Sequence, residues 1–336
     1  MTIKDLSAQT GYSVGTVSRV LNNQPNVSEK ARQAVLAAVE ASGFQLNANA
    51  KQLKQQRFNT ILVVVKGISN ELFGSLVEAI QAQVAETPYS LVLDYLDEDE
   101  NEVRRAIQLC REKKPLGILF LGGNNRNFLE EFRQISQPSV LVTNDASELP
   151  FENLSSVCSD DRAAASMAID HLVELGHRRI VVIGGDREVS DTTRLRYQGC
   201  MDAFARHAIA FDQQLDYEGV RYSYADGYRA AKALLARGRD FTAIFAMADV
   251  MAIGAIRALR DMGKRVPEDV SVLGFDGLTI GEYIIPRLST ISQRVQEMAR
   301  CSVEILLRQI EAQGCACDQT VLVTAKWRES ACPAVK

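Results

Sequence analysis

The chain has 336 residues, of which 46% are hydrophobic and 24% charged, with a formal net charge of −4. This composition supports two or three domains with a large core, and it excludes a disordered chain. The sequence has neither an apolar run near the ~18–20 residues of a membrane span nor a signal peptide, so we expect a cytoplasmic protein without a membrane partner.

Residues 1–56 hold six Lys/Arg and three Asp/Glu, whereas the remainder holds 32 Lys/Arg and 39 Asp/Glu. A basic head on an acidic body suits a head that meets phosphates.

The first two dozen residues predict two short helices joined by a tight turn. Thr2 is a suitable N-cap, Asp5 can return the hydrogen bond, and Gly11 permits the positive φ of a turn. Ser13 can cap the second helix, whose apolar residues share one face. That face consists of Val17, Val20 and Leu21. Two helices of about eight residues in this arrangement fit a helix-turn-helix, although an ordinary helical hairpin has the same spacing.

A third helix is predicted from Ser28, its N-cap, to about Ser42, and Gly43 ends it. Its predicted buried stripe is Ala31, Val35, Leu36 and Val39. Residues 47–56, NANAKQLKQQ, then contain a single leucine among small and polar residues. A helix this short and polar does not hold in water by itself, so these residues alone indicate a flexible linker.

From Thr60 onward, apolar strands alternate with helices. TILVVV (60–65) is a near-continuous apolar strand, as expected where both faces of a parallel sheet are covered. Helices are predicted at about 72–86, 101–113 and 127–135, and the strands between them are SLVLDYL, LGILFLG and SVLVTND. The pattern restarts near Ser155 and continues through RIVVIGG, LDYEGV, AIFAM and VSVLGFD. The fold class is therefore α/β, with two doubly wound parallel-sheet halves and a cleft between them.

Polar residues follow the ends of these strands, which is where ligands bind in such sheets. They are Asp145, Ser190, Thr192, Arg196, Tyr222, Asp249 and Asp276. Carboxylates accept hydroxyl protons and a guanidinium donates two bonds in a fixed fork, so the set suits a polyhydroxylated ligand. Taken singly, each is also the kind of polar group that loops and helix caps use, and an Asp before a Gly is common in turns.

Particular stretches of the sequence are more specific than its hydrophobic periodicity. TIKDL, GYSVGTVSRVLNN, VSEKAR, ELFGSLVEAI, HLVELGHRRIVVIGG, FAMADVMAIGAIRALRDMGKRVPEDVSVLGFDG and the closing WRES closely resemble the lactose/galactose repressor family of bacterial transcriptional regulators. The resemblance implies a helix-turn-helix head (1–46), a hinge helix or linker (47–57), and an effector-binding and dimerisation body (58–336) like that of periplasmic sugar-binding proteins. It also implies three crossings between two subdomains of the body. Subdomain 1 would comprise about 58–159 and 291–321, and subdomain 2 about 160–290 and 322–336.

The resemblance assigns DNA contacts to the second helix and to the hinge. Val14, Gly15 and Arg19 match base-reading positions, and Arg19 could donate a bidentate pair to guanine. In the hinge, Leu53 matches a leucine that enters the minor groove. Leu46, at the entry to the hinge, replaces the proline that is usual in the family. The full predicted DNA-contact set is Ser13, Val14, Gly15, Thr16, Ser18, Arg19, Asn47, Leu53 and Lys54.

The resemblance also assigns an effector site to the body. Arg196 and Asp276 align with the family's effector-binding Arg and Asp. Other pocket positions match Leu72, Phe73, Asp145, Tyr222 and Gln293. Sugar-responsive members usually carry Asn-Asp where this chain has Ala248-Asp249, so one amide of the usual sugar site is missing.

These features together predict a repressor whose affinity for near-palindromic operator DNA is controlled by a small polar ligand, a sugar or sugar derivative. A purine-type co-repressor is the alternative within the family. An enzyme on a nucleotide-binding α/β fold is a different class, but GxGxxG and GxxxxGK[ST] are absent and the three histidines lack a paired nucleophile. A binding protein without DNA activity would leave the head unexplained.

We therefore expect no enzymatic activity and no cofactor. We expect no metal site either, because Cys315 and Cys317 supply only half of a tetrahedral zinc site. The chain ends at Lys336 without the leucine heptads of the family's tetramers, so we expect a homodimer, bound to the nucleoid when on its operator.

Overall fold

The structure, a computed structural model, describes residues 2–21, 27–42, 59–68, 70–312 and 314–334. The chain forms two compact units, Met1–Gln56 and Arg57–Lys336. Three of the predicted DNA contacts, Asn47, Leu53 and Lys54, lie outside the described residues, as does the whole predicted hinge, 47–57.

Within its described residues, the first unit contains three helices: α1 Ile3–Thr10, α2 Val14–Leu21 and α3 Glu29–Ser42. Thr2 and Asp5 exchange the two hydrogen bonds of a capping box, and Gly11 closes α1 with φ of 73°. The helices pack around a small apolar core made of Leu6, Val17, Val20, Val35 and Ala38. The predicted stripe of α3 was wrong at Leu36, which is 49% exposed, because the helix turns Ala38 inward instead.

The second unit begins at the first strand. Its strands are β1 Thr60–Lys66, β2 Ser90–Leu96, β3 Gly117–Leu121, β4 Ser139–Val142, β5 Leu154–Cys158, β6 Ile180–Gly184, β7 Tyr217–Gly219, β8 Ala243–Ala246, β9 Ser271–Asp276, β10 Ser289–Ser292, β11 Asp318–Thr320 and β12 Thr324–Lys326. Its helices are α4 Glu71–Ala85, α5 Glu102–Lys113, α6 Asn125–Glu131, α7 Asp161–Glu174, α8 Asp191–Arg206, α9 Gln213–Asp216, α10 Tyr224–Ala236, α11 Asp249–Asp261 and α12 Val295–Ala312. Short 3₁₀ turns follow at Phe132–Gln134 and Thr279–Glu282, so the helix expected at 127–135 ends as a 3₁₀ turn.

The strands form two sheets with matching order. The first runs β11-β5-β4-β3-β1-β2 and the second β12-β10-β9-β8-β6-β7. Neighbouring strands are parallel, except that β12 runs antiparallel to β10. Each strand of one sheet therefore has a counterpart in the other: β4 corresponds to β9, and the edge strand β2 corresponds to β7.

Helices cover both faces of each sheet, and this is why a central strand such as β1 is apolar on both sides. In β1, Ile61, Val63 and Val65 face one apolar cluster, whereas Leu62 and Val64 face another. The first of these clusters extends through α4 and α12 into α10 and α11. No helix among the described residues is long and apolar enough to cross a membrane.

The chain passes between the two sheets after β5, after β10 and between β11 and β12. We expected the second passage near Thr290, and Thr290 lies in β10, which pairs with β9 of the second sheet through Ser292. The return to the first half therefore begins with α12, which packs against α4. All three passages lie at the same side of the molecule, by the strands β5, β10, β11 and β12.

Candidate functional site

A cleft of about 680 Å³ opens between the two halves of the body, beyond the carboxyl ends of the strands. Residues that follow β1 to β4 line one wall, and residues that follow β6, β7 and β9 line the other. The position is the one that strand order predicts for a ligand site in doubly wound sheets, and the volume suits a small molecule.

Arg196 is the fixed cation of the cleft. It projects from α8, is 4% exposed, and donates from Nε to Asp161 Oδ1 at 2.7 Å and from Nη1 to the Met247 carbonyl at 2.5 Å. Its guanidinium carbon lies 3.7 Å from the centre of the Phe275 ring. Burial opposes the charge of Arg196, but Asp161 and Asp276 raise its pKa above the ordinary value. The guanidinium is therefore charged and held rigidly.

Asp276 is the acceptor of the cleft. Its Oδ1 accepts a hydrogen bond from Gln293 Nε2 at 2.9 Å and lies 3.8 Å from Arg196 Nη1. Its Oδ2 is buried and has no hydrogen-bond partner among the described residues, and Asp276 lines the cavity. Burial raises the pKa of Asp276 to about 7, although Arg196 and Gln293 oppose this rise. A ligand hydroxyl that donated to Oδ2 would remove the desolvation cost of an unpaired buried acceptor.

Two strand-end residues have positive φ values that L-residues rarely adopt. Asp276 has φ of 115° at the end of β9, and Thr143 has φ of 80° directly after β4. The two strands are counterparts in the two sheets, and both residues line the cleft. Such backbone conformations cost about 1–3 kcal/mol and cluster at functional sites, so their symmetric placement marks this cavity.

Seven of the ten predicted effector residues line the cleft. They are Leu72, Phe73, Ser190, Thr192, Arg196, Tyr222 and Asp276. Ser190 caps α8 by accepting from the Thr193 backbone, and the Tyr222 hydroxyl pairs with Thr193 Oγ1 at 2.7 Å. Burial raises the pKa of Tyr222, which keeps it a neutral hydrogen-bonding group.

The other three predicted residues do not line the cavity. Asp145 is exposed and accepts from the backbone and hydroxyl of Ser147, so it stabilises a turn. Gln293 lies behind Asp276 and orients its carboxylate. Asp249 is fully buried, and it accepts from the Leu278 N–H and the Thr290 hydroxyl, each at 2.6 Å. These residues hold the walls of the cleft in place, and direct contact of any of them with a ligand stays a prediction.

Several lining residues were not predicted. Lys66 ends β1, and its Nζ lies 2.5 Å from the fully buried carboxylate of Glu102. Asn144 is buried and donates to the Gly123 carbonyl. Arg187 stacks over the Tyr197 ring at 4.3 Å. Only the placement of Lys66 at the polar end of an apolar strand could have indicated its role from the sequence.

In the first unit, the predicted DNA contacts of α2 share its exposed side. Val14, Gly15 and Arg19 are exposed, and Ser18 is partly so. Ser13 accepts from the Thr16 backbone N–H at 3.2 Å and thereby caps the helix. Val17 and Val20 face the core, so α2 presents its opposite side, which begins with Val14 and Gly15, to solvent.

Comparisons with known proteins agree with this architecture. Residues 2–47 match the family described as bacterial regulatory proteins, lacI family, and residues 169–331 match the periplasmic binding protein-like domain. The chain is 35% identical to the HTH-type transcriptional regulator MalR of Clostridium butyricum over 319 residues, 94% of each chain. A lac repressor dimer bound to operator and the anti-inducer ONPF has a TM-score of 0.78 at 25% identity, covering 99% of each chain. A CelR–cellobiose complex has a TM-score of 0.72 at 27% identity, covering 98% of this chain and 100% of that one. The predicted fold class is confirmed.

Proposed function

Because this chain belongs to the lacI family of bacterial regulatory proteins, it is a DNA-binding transcriptional regulator, and we propose that it is a repressor gated by a sugar or sugar derivative. The observation that carries the ligand proposal is the buried Oδ2 of Asp276, which has no partner in the part of the chain that the structure describes, beside the fixed guanidinium of Arg196. Together they offer an acceptor and a charged neighbour to vicinal hydroxyl groups.

The chemistry of the cleft favours a neutral ligand. Two of its cations are already committed, Arg196 to Asp161 and Lys66 to Glu102. Six acidic side chains line the cavity against four basic ones, so a phosphate or carboxylate would meet a net negative wall. The cellobiose bound in the CelR structure is a neutral sugar, which supports the same class of effector here. The missing amide at Ala248 then means that a different group must contact the sugar hydroxyls.

For DNA binding, we propose that α2 enters the major groove and that its exposed residues contact the operator. The proposed set remains Ser13, Val14, Gly15, Thr16, Ser18, Arg19, Asn47, Leu53 and Lys54. The proposed boundaries are head 1–46, hinge 47–57 and body 58–336. Two heads of a homodimer would read two half-sites of a near-palindromic operator, as the operator-bound lac repressor dimer suggests.

The surface of the body supports the dimer. Tyr283 and Ile285 follow the second 3₁₀ turn and are 76% and 78% exposed, an unusual placement for two large apolar side chains so close together. We infer a non-enzymatic protein that acts in the bacterial cytoplasm, because its proposed operator is chromosomal DNA and its relatives are regulators.

A thermal-shift panel on the full chain tests the effector class. The probes are D-galactose, cellobiose, maltose, glucose 6-phosphate and hypoxanthine, since a ligand stabilises the protein that it binds. We expect a neutral sugar to raise the melting temperature and to weaken operator binding in a gel shift. A response to hypoxanthine alone, with tighter operator binding, would instead establish the purine co-repressor. Mass spectrometry should recover the bound compound unchanged.

The site itself is tested by calorimetric titration with the compound that raises the melting temperature. Asp276→Asn and Arg196→Lys each remove part of a charged hydrogen-bond pair, which typically costs about 2–3 kcal/mol, or near a hundredfold in affinity. Asp145→Asn is the matched control. The Asp145 carboxylate lies outside the cavity, so this variant should bind the compound with normal affinity. Operator affinity in the absence of the compound should be retained in all three. Unchanged affinity in both cleft variants would refute this site.

A further inference from the structure

A group of charged side chains joins the two halves of the body at the mouth of the cleft. Arg221, which follows β7, contacts three successive acidic residues that follow β2. Its Nε lies 3.0 Å from Glu98 Oε1, its Nη1 lies 3.3 Å from Asp97 Oδ1, and its Nη2 pairs with Asp99. One guanidinium in the second half therefore meets three carboxylates in the first half.

The topology places this group where it has most leverage. β2 and β7 are counterpart edge strands at the same end of the sheet order, whereas all three chain passages lie by the opposite edge strands. A motion that separates the halves about those passages opens the cleft most widely at β2 and β7. A contact there acts on the longest lever arm, so it resists opening more effectively than a contact near the passages.

Two further hydrogen bonds span the cleft. The Tyr224 hydroxyl donates to Glu71 Oε1 at 2.7 Å, and the Asn125 backbone N–H donates to Asp191 Oδ2 at 2.9 Å. Burial and the neighbouring Glu71 raise the pKa of Tyr224, so the phenol remains a donor. The halves are thus joined at several points around the opening, of which the Arg221 group carries the most charge.

The charge balance explains why this group is more than an ordinary surface ion pair. A single exposed pair contributes about 0–1 kcal/mol, because ordering two long side chains offsets the attraction. Here one ordered arginine serves three acceptors. When the halves separate, Asp97, Glu98 and Asp99 are left as adjacent like charges, and within the described residues Arg221 is the cation that neutralises them. Opening therefore removes three attractions and leaves the mutual repulsion of the carboxylates uncompensated.

We propose that Asp97, Glu98, Asp99 and Arg221 form an ion-pair latch that holds the cleft closed and so sets how long an effector stays bound. The consequence for the effector rests on the proposed function, whereas the latch itself is a property of the ligand-free body. A latch at the mouth would add to the free energy of the closed arrangement and slow ligand escape, without touching the ligand.

The test measures the distance between the halves in the ligand-free, full-length protein. Spin labels are placed at two exposed helix positions on one side of the body, Lys113→Cys in α5 and Ala205→Cys in α8. The four cysteines that are not buried, Cys110, Cys315, Cys317 and Cys332, are replaced by serine. Labelled chains are diluted with unlabelled ones, so that double electron–electron resonance reports distances within one chain. Circular dichroism verifies that each variant is folded.

We expect wild type to show one narrow, short distance. Arg221→Ala should lower the ratio of closed to open molecules about tenfold, equivalent to about 1.4 kcal/mol, and produce a longer population. Arg221→Glu should open the cleft further, and adding Asp99→Arg to it should restore the short distance. Raising NaCl from about 0.05 to 1 M should lengthen the wild-type distance but leave Arg221→Ala unchanged, because salt screens exposed charges.

Arg257→Ala is the control, since that exposed arginine pairs with Asp261 on its own helix and should leave the distance unaltered. A short, narrow distance retained in Arg221→Ala, or a charge swap that fails to restore it, would overturn the latch. The measurement contains no effector, so its failure leaves the proposed function untouched. Conversely, a protein that binds none of the panel compounds could still show the latch.

Discussion

Asp249 is a buried carboxylate whose charge should destabilise the ligand-free body near neutral pH. Burial raises its pKa to about 8, the nearby Asp276 adds to the rise, and hydrogen bonds from Thr290 and Leu278 offset only part of it. Burial likewise raises the pKa of Asp276 to about 7. In the unfolded chain both carboxyl groups titrate near pH ~3.9. Above pH ~4 the folded state therefore binds more protons than the unfolded chain. The stability that these groups confer is fully present below pH ~4, falls progressively as the pH rises, and is lost once the pH has passed their folded pKa values of about 7 and 8.

The substitution Asp249→Asn removes one of these titrations. Its amide oxygen can still accept from the Leu278 N–H, and its NH₂ can donate to the Thr290 hydroxyl, so the packing is preserved. A carboxyl that is protonated when folded and ionised when unfolded contributes a slope of about −1.4 kcal/mol per pH unit. Between pH 5 and 7 the variant should therefore lose about 2–3 kcal/mol less stability than wild type. All other titratable groups are common to both proteins. Among them, Asp276 should have a lower pKa in the variant, because its neighbour is then neutral.

The assay is urea unfolding of the full chain at pH 5, 6, 7 and 8, followed by far-ultraviolet circular dichroism through the transition of the body. Asp145→Asn, an equally conservative change at an exposed carboxylate, should run parallel to wild type. If the curve of Asp249→Asn also ran parallel to wild type, the assignment of a protonated, buried Asp249 would be refuted. Effector affinity at pH 5 should be close to normal in this variant, because Asp249 does not line the cavity.

Three further predictions concern DNA binding and assembly. Gly15→Ala should raise the thermal stability of the head by about 0.5–1 kcal/mol, because a Cβ at this exposed helical position meets only Ser13 Oγ at an ordinary contact distance of 3.8 Å, and an unchanged melting curve would contradict this. Tyr283→Asp combined with Ile285→Asp should convert the dimer to monomers in sedimentation at micromolar concentration, whereas Leu129→Asp, at another exposed apolar residue, should not. Leu53→Ala should weaken operator binding at fixed salt by at least about tenfold, roughly 1.4 kcal/mol; wild-type affinity would mean that the linker is only a tether.

Local patterns in the sequence were sufficient to predict the elements. The capping box at Thr2 and Asp5, the turn at Gly11 and the cap at Ser13 act over a few residues, so the sequence indicates the helix ends of the head without reference to tertiary contacts. The apolar run of β1 likewise requires covered faces on both sides, which only a sheet between helix layers provides. The resemblance to the family, which extends over nearly the whole chain, added the order of the two halves.

The strand ends show where sequence reasoning stops. Asp145, Asp249 and Asp276 each follow a predicted strand, and all three look alike in the sequence. Only Asp276 reaches the cavity, because its backbone adopts φ of 115° and turns its carboxylate toward Arg196. Asp249 begins a helix and points into the core, and Asp145 closes a turn. The direction of a side chain after the last strand residue depends on one or two dihedral angles, which no periodicity encodes.

The sequence by itself therefore determined the helices of the head, the alternation of strands and helices, and the family to which the chain belongs. The tertiary structure alone decided which polar groups meet. Arg221 and Asp99 are 122 residues apart and lie in different halves. They come together because two sheets of equal strand order place β2 and β7 at matching edges. Contacts of that kind depend on how two separately wound sheets face each other, and so they follow from the packing of the whole body.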